Sequence, residues 1–118
     1  MEHRLSKRIP GELKLLIYRR GMPVATGRIK DASKQGLFIN TDYNDIQLNQ
    51  MLEVEFRFPG NPDKQLCRIK AHVVRMADEG LGVDFGETNR DALTISKLVR
   101  WLSEQRIASH YFPSLRRA

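Results

Sequence analysis

Two clusters of residues in this chain carry groups suited to holding a ligand. Arg4-Leu-Ser-Lys-Arg8 offers two guanidinium forks four residues apart. Asp31-Ala-Ser33-Lys-Gln-Gly36 offers a carboxylate, a hydroxyl and a glycine. At that glycine the backbone can pass close to a ligand or take a positive φ angle. A guanidinium grips a phosphate through two parallel N–H donors and also stacks on a purine face. The same fork meets O6 and N7 of guanine, while a carboxylate such as Asp31 suits the N–H donors on the other guanine edge. Ser33 can donate to a phosphate or to a guanine acceptor. Together the two clusters read as a clamp for a guanine-containing dianion.

The clusters differ in specificity. With 13 arginines in 118 residues, about 1.4 arginine pairs at this spacing are expected by chance, against roughly 0.04 matches to an Asp/Asn-x-Ser-x-x-Gly pattern. Each has a plainer reading. Arg4 and Arg8 can be a solubilising basic terminus, and Asp31-Ala-Ser33 an ordinary turn whose side chains bond local backbone.

Other chemistry is sparse. Cys67 stands alone in an alternating apolar run and reads as a small core residue. His3, His72 and His110 share no metal-ligand spacing. No Ser/His/Asp set, carboxylate pair or P-loop stands out, so neither an enzyme nor a metal site is expected. The net charge is +6, unevenly spread: residues 1–20 carry six basic and two acidic side chains, residues 42–63 one and five. A small basic barrel that binds nucleic acid is therefore the main alternative. Against it, aromatics make up 8% of the chain and Phe56, Phe58 and Phe85 fall on inward positions. The apolar stretches are too short for a signal peptide or a membrane span, so a cytoplasmic protein without membrane insertion is expected.

The elements that must position these groups are short. Residues 12–20, 24–30 and 35–41 read as three strands, followed by a polar loop over residues 42–50. In residues 51–58, Leu52, Val54, Phe56 and Phe58 alternate with Glu53, Glu55 and Arg57, the period of a half-buried strand. Residues 66–75 alternate likewise, with Cys67, Ile69, Ala71 and Val73 inward, and Leu81, Val83 and Phe85 make a sixth strand. Gly80 is expected to supply a special dihedral in the turn before it. From a Thr88 cap, Ala92, Ile95, Val99, Leu102 and Ile107 then fall near one helical face, with Leu98 beside it. The prediction is a mostly β chain: six antiparallel strands in a barrel or sandwich, then a C-terminal α-helix.

In these features the chain resembles the PilZ domain family, bacterial receptors for cyclic di-GMP. The resemblance rests on Arg4-x-x-x-Arg8 with Ile9-Pro10, on Asp31-x-Ser33-x-x-Gly36, on Gly80-Leu-Gly82-Val-Asp-Phe85 and on the C-terminal helix, over about residues 3–105. It implies a six-stranded antiparallel split β-barrel capped by the helix. It implies that Arg4, Arg8, Asp31, Ser33 and Gly36 bind cyclic di-GMP, with no other cofactor. The place of Arg75 resembles one from which some family members send a planar side chain onto a guanine, although strand parity puts Arg75 inward with Val73. The residue before the first arginine, His3, leaves open whether one ligand or a stacked dimer is bound. Residues 1–10 are expected to be a mobile ligand-binding segment, 11–107 the barrel and helix, and 108–118 a short tail. With no output domain in this chain, the signal is expected to pass to an unidentified effector protein, with a homodimer left open. A nucleotide-independent adaptor is a third reading, against which the intact arginine pair argues.

Overall fold

The computed structural model describes residues 9–59, 65–86 and 91–111, with helix side chains described as far as Gln105. Its elements are β1 (Ile9–Pro10), β2 (Lys14–Arg19), β3 (Met22–Ala32), β4 (Gly36–Asn40), β5 (Met51–Phe56), β6 (Cys67–Ala77), β7 (Gly80–Asp84) and α1 (Ala92–Tyr111). The strands run β3-β2-β5-β6-β7-β4 around the sheet, and β4 pairs back onto β3. All pairings are antiparallel. Of the barrel and the sandwich that the alternation left open, the result is the closed six-stranded barrel, with the C-terminal helix, that the resemblance implies. The two-residue β1 is an addition, paired to β3 beyond the end of β2.

Local chemistry accounts for the hairpins. Arg20 and Gly21 connect the paired residues Arg19 and Met22, with φ angles of 54° and 78°. Two successive positive φ angles give the hairpin turn whose twist matches that of the strands. Closure depends on glycine in another way. Neither Gly36 nor Gly80 takes a positive φ. A Cβ on Gly36 would collide with the Val83 carbonyl, and one on Gly80 with the Ile39 carbonyl. The expected special dihedral at Gly80 is therefore replaced by a steric requirement: β4 and β7 approach too closely there for a side chain.

The inward faces of the strands form one core, including Ile17, Ile29, Leu37, Ile39, Leu52, Val54, Ile69, Val73 and Leu81. On α1, Ile95, Leu98 and Leu102 are buried in that core, whereas Ala92 is exposed. Leu98 thus lies at the centre of the contact face rather than beside it. The expected Thr88 cap lies outside the described residues, and the helix continues past Ile107 to Tyr111. Gly11 lets the chain after β1 lie directly against α1, because a Cβ there would sit 2.6 Å from Leu102 Cδ2. Phe58 is half-buried, its ring between those of Phe56 and Trp101.

One outward residue is nevertheless buried. Glu55 points away from the core but is covered by its neighbours: Tyr18 Oη donates to Oε1 (3.1 Å) and Arg68 Nε donates to Oε2 (3.2 Å). The Arg68 guanidinium also lies 4.1 Å from the Tyr18 ring centroid. The Arg68 fork, followed by the Tyr18 hydroxyl, holds the Glu55 carboxyl below its ordinary 4.5 against the opposing effect of burial. A carboxylate with a lowered folded pKa contributes stability that is fully present above its ordinary pKa and is lost as pH falls through the folded value. Glu55→Gln is therefore expected to melt below wild type at neutral pH, with the gap narrowing below about pH 4.5. Melting curves at a series of pH values check this; a gap constant down to about pH 3 would contradict it.

Candidate functional site

The second sequence cluster straddles the β3–β4 connection. Asp31 and Ala32 end β3, and Gly36 opens β4. Ala32 is buried in the core, so Asp31 faces outward and is half-buried. The intervening turn is closed by the Ser33 N–H, which donates to the Gly36 carbonyl (2.9 Å). Ser33 Oγ accepts from the N–H groups of Gln35 (3.1 Å) and Gly36 (3.3 Å). Ser33 is only 2% exposed. Its oxygen shapes the turn, and its hydroxyl proton is the part left to donate. The close approach at Gly36 is to the Val83 carbonyl.

The first cluster, Arg4 and Arg8, lies outside the described residues. The described chain fixes where it starts. Ile9 pairs with Ala32 and Pro10 with Asp31, and the Gly11 N–H donates to the Lys30 carbonyl (3.0 Å). Arg8 is one peptide link from Ile9, a Cα step of about 3.8 Å. The segment carrying both arginines thus joins the barrel at the Asp31-Ala-Ser33 turn, although 22 residues lie between Arg8 and Asp31.

Arg75 reaches the same wall by a departure from parity. The β6–β7 register shifts between Val73 and Arg75, so that Val73 faces the core and Arg75 is exposed outside. A bulge of this kind inserts one residue and re-aims those after it. The inward placement expected from alternation is corrected by that insertion. Across the strands, Asp31 pairs with Phe38, Phe38 with Gly82 and Gly82 with Arg75. These four residues form one row on the outer surface. Gly82 contributes no side chain, and Arg75 extends to within 5.5 Å of the Phe38 ring centroid.

Phe38 and its neighbour Lys30 belong to neither sequence motif. The available signal was the run Leu37-Phe38-Ile39: two core residues flank a large aromatic that alternation must turn outward. Other described features lie apart from this row. A groove of about 1000 Å³ crosses β5, β2, β3 and the end of β4, lined by Lys14, Leu16, Arg28 and Arg57 among others, but it contains none of the expected site residues. Cys67 is half-buried, and burial raises its thiol pKa, which disfavours the nucleophilic thiolate. Among the described residues no three His, Cys, Asp or Glu side chains are grouped to hold a metal ion, and no helix is long and apolar enough to cross a membrane.

The family model for the PilZ domain matches residues 2–104. The chain belongs to the PilZ domain family. Among solved structures it is similar to the PilZ domain of CeSA from a cellulose-synthesizing bacterium, at 17% identity and a TM-score of 0.68, over 83% of this chain and 99% of that one. It is also similar to the PilZ domain of YcgR from Escherichia coli, solved with c-di-GMP, at 12% identity and a TM-score of 0.70, over 92% and 96% of the two chains. At these identities the likeness is one of fold. No curated protein matches the chain. In this PilZ domain the barrel therefore gathers Asp31, Phe38 and Arg75 on one outer wall, with the Ser33 turn at its end and the arginine-bearing segment joined beside it.

Proposed function

We propose that this PilZ domain is a receptor for cyclic di-GMP that binds the dinucleotide without hydrolysing it. The observation that carries the reading is the β1–β3 pairing. It joins the segment bearing Arg4 and Arg8 to the barrel directly opposite Asp31 and Ala32. Under that reading the two motifs, each of which could be incidental, form one binding surface. In this reading Arg4 and Arg8 hold phosphate and guanine acceptors, and Asp31 accepts from the guanine N–H donors. Ser33 and Gly36 set the turn that presents Asp31, and Arg75 offers a planar cation from the far end of the row. The signal passes to a partner protein. A ligand changes a partner's affinity only through a difference between the free and bound states. In this reading that difference is the ordering of the segment bearing Arg4 and Arg8 over the bound ligand. Gly11 lies against Leu102, so the chain after β1 is packed on α1, and their shared surface is the proposed docking face.

The test is calorimetric titration of the purified protein with cyclic di-GMP, GTP and a random single-stranded oligonucleotide at moderate salt. Saturable binding selective for cyclic di-GMP, with the ligand recovered intact, is expected. No saturable heat, or equal affinity for GTP, would overturn the reading. Tighter binding of the oligonucleotide would favour a nucleic-acid binder.

A further inference from the structure

Phe38 points away from the core and yet is only 6% exposed. Two cations lie over it. Lys30 Nζ and Arg75 Cζ each sit 5.5 Å from its ring centroid. They arrive from different strands by the same device. The β3–β4 register shifts between Ile29 and Asp31, and the β6–β7 register between Val73 and Arg75. The first shift turns both Lys30 and Asp31 outward, since Ile29 and Ala32 on either side are in the core. The second turns Arg75 outward, and the missing side chain at Gly82 leaves room for it to cross β7: a Cβ on Gly82 would lie 3.1 Å from Arg75 Cβ and 3.9 Å from its Cγ and Cδ. The ring gives both cations a favourable face. Glu79 offsets part of their mutual repulsion: its carboxylate is 4.0 Å from Lys30 Nζ, with both side chains more than half exposed. An ion pair that exposed is weak and readily exchanged.

We infer that Lys30 is a further anion-binding residue of this site, contacting a phosphate of the ligand beside Arg75, with Phe38 as the positioning residue that seats both cations. The inference rests on the cyclic di-GMP reading and adds to it a contact outside the two sequence motifs. Binding exchanges the exposed Lys30–Glu79 pair for a Lys30–phosphate pair, a partner of the same single charge that Arg75 contacts as well.

The experiment titrates wild type, Lys30→Met, Lys30→Arg, Glu79→Gln and Phe38→Leu with cyclic di-GMP at low and high salt, with a melting curve for each. Lys30→Met is expected to weaken binding about tenfold and to flatten the salt dependence of affinity, without a change in melting temperature. Lys30→Arg should restore both. Glu79→Gln should bind as well as wild type or tighter, because the competing carboxylate is gone. Phe38→Leu keeps an apolar plug but loses the π face, and in its background Lys30→Met should cost less than it does alone. If wild type binds and Lys30→Met binds equally well with the same salt dependence, this inference falls and the receptor reading stands. If Glu79→Gln weakens binding as much as Lys30→Met, the pair is architectural and the inference also falls. If wild type does not bind cyclic di-GMP, both fall together.

Discussion

Arg4→Ala and Arg8→Ala are each expected to weaken cyclic di-GMP binding by roughly ten- to a hundredfold while leaving the melting temperature near that of wild type. Each substitution removes charge-assisted hydrogen bonding to a phosphate or a base, at a total cost of about 1.5–3 kcal/mol per variant. Both positions precede β1, and among the described residues the buried core begins at Ile9. The loss should therefore appear in the binding isotherm and not in the melting curve. Calorimetry on the two variants, with thermal melts as the control, checks this. Wild-type affinity in both would remove the arginine clamp from the mechanism. A large drop in melting temperature would instead assign the arginines to the fold.

Gly36→Ala and Gly80→Ala are expected to show the opposite pattern, a loss of stability first. The obstacle to the new methyl group is in each case a backbone carbonyl of the neighbouring strand, Val83 for Gly36 and Ile39 for Gly80. A side chain could rotate away, but a paired backbone cannot, so β4 and β7 must separate and their ladder weakens. Overpacking of this kind costs about 1–3 kcal/mol or more, equivalent to a fall in melting temperature of about 4–12 °C for a domain of this size. Gly21→Ala is the control. Nothing lies within 4 Å of a Cβ there, and only the φ of 78° is strained, at about 1–2 kcal/mol. Should Gly36→Ala and Gly80→Ala melt no lower than Gly21→Ala, the steric account of closure is wrong. Gly36 belongs to the Asp31-Ala-Ser33 motif, so this comparison also separates its two meanings. A Gly36→Ala protein that remains folded in the cold and binds ligand normally would show that the motif keeps its glycine for the β4–β7 approach.

Much of this architecture was legible in the chain. Leu52, Val54 and Phe56 alternating with Glu53 and Glu55 could only be a strand with one buried face. Six short strand segments between turns, three of them alternating, then Ile95, Leu98 and Leu102 at helical spacing, specified an antiparallel barrel or sandwich with a C-terminal helix, because periodicity is written in neighbouring residues. The Arg4–Arg8 pair and the Asp31–Ser33–Gly36 turn were legible for the same reason: each is a local spacing of chemical groups. What the tertiary structure alone decided involves partners distant in sequence. Whether Arg75 faces in or out depends on an extra residue in β6 relative to β7, and a bulge is a property of the pair, invisible in one strand read singly. The burial of outward Glu55 needs Tyr18 and Arg68 from two other strands, and Gly80 needs its space because Ile39 lies opposite, not because of its own turn. The wall where Lys30, Asp31, Phe38 and Arg75 meet is of the same kind. Local patterning determined which residues form strands, whereas the register and closure of those strands determined which chemical groups share a surface.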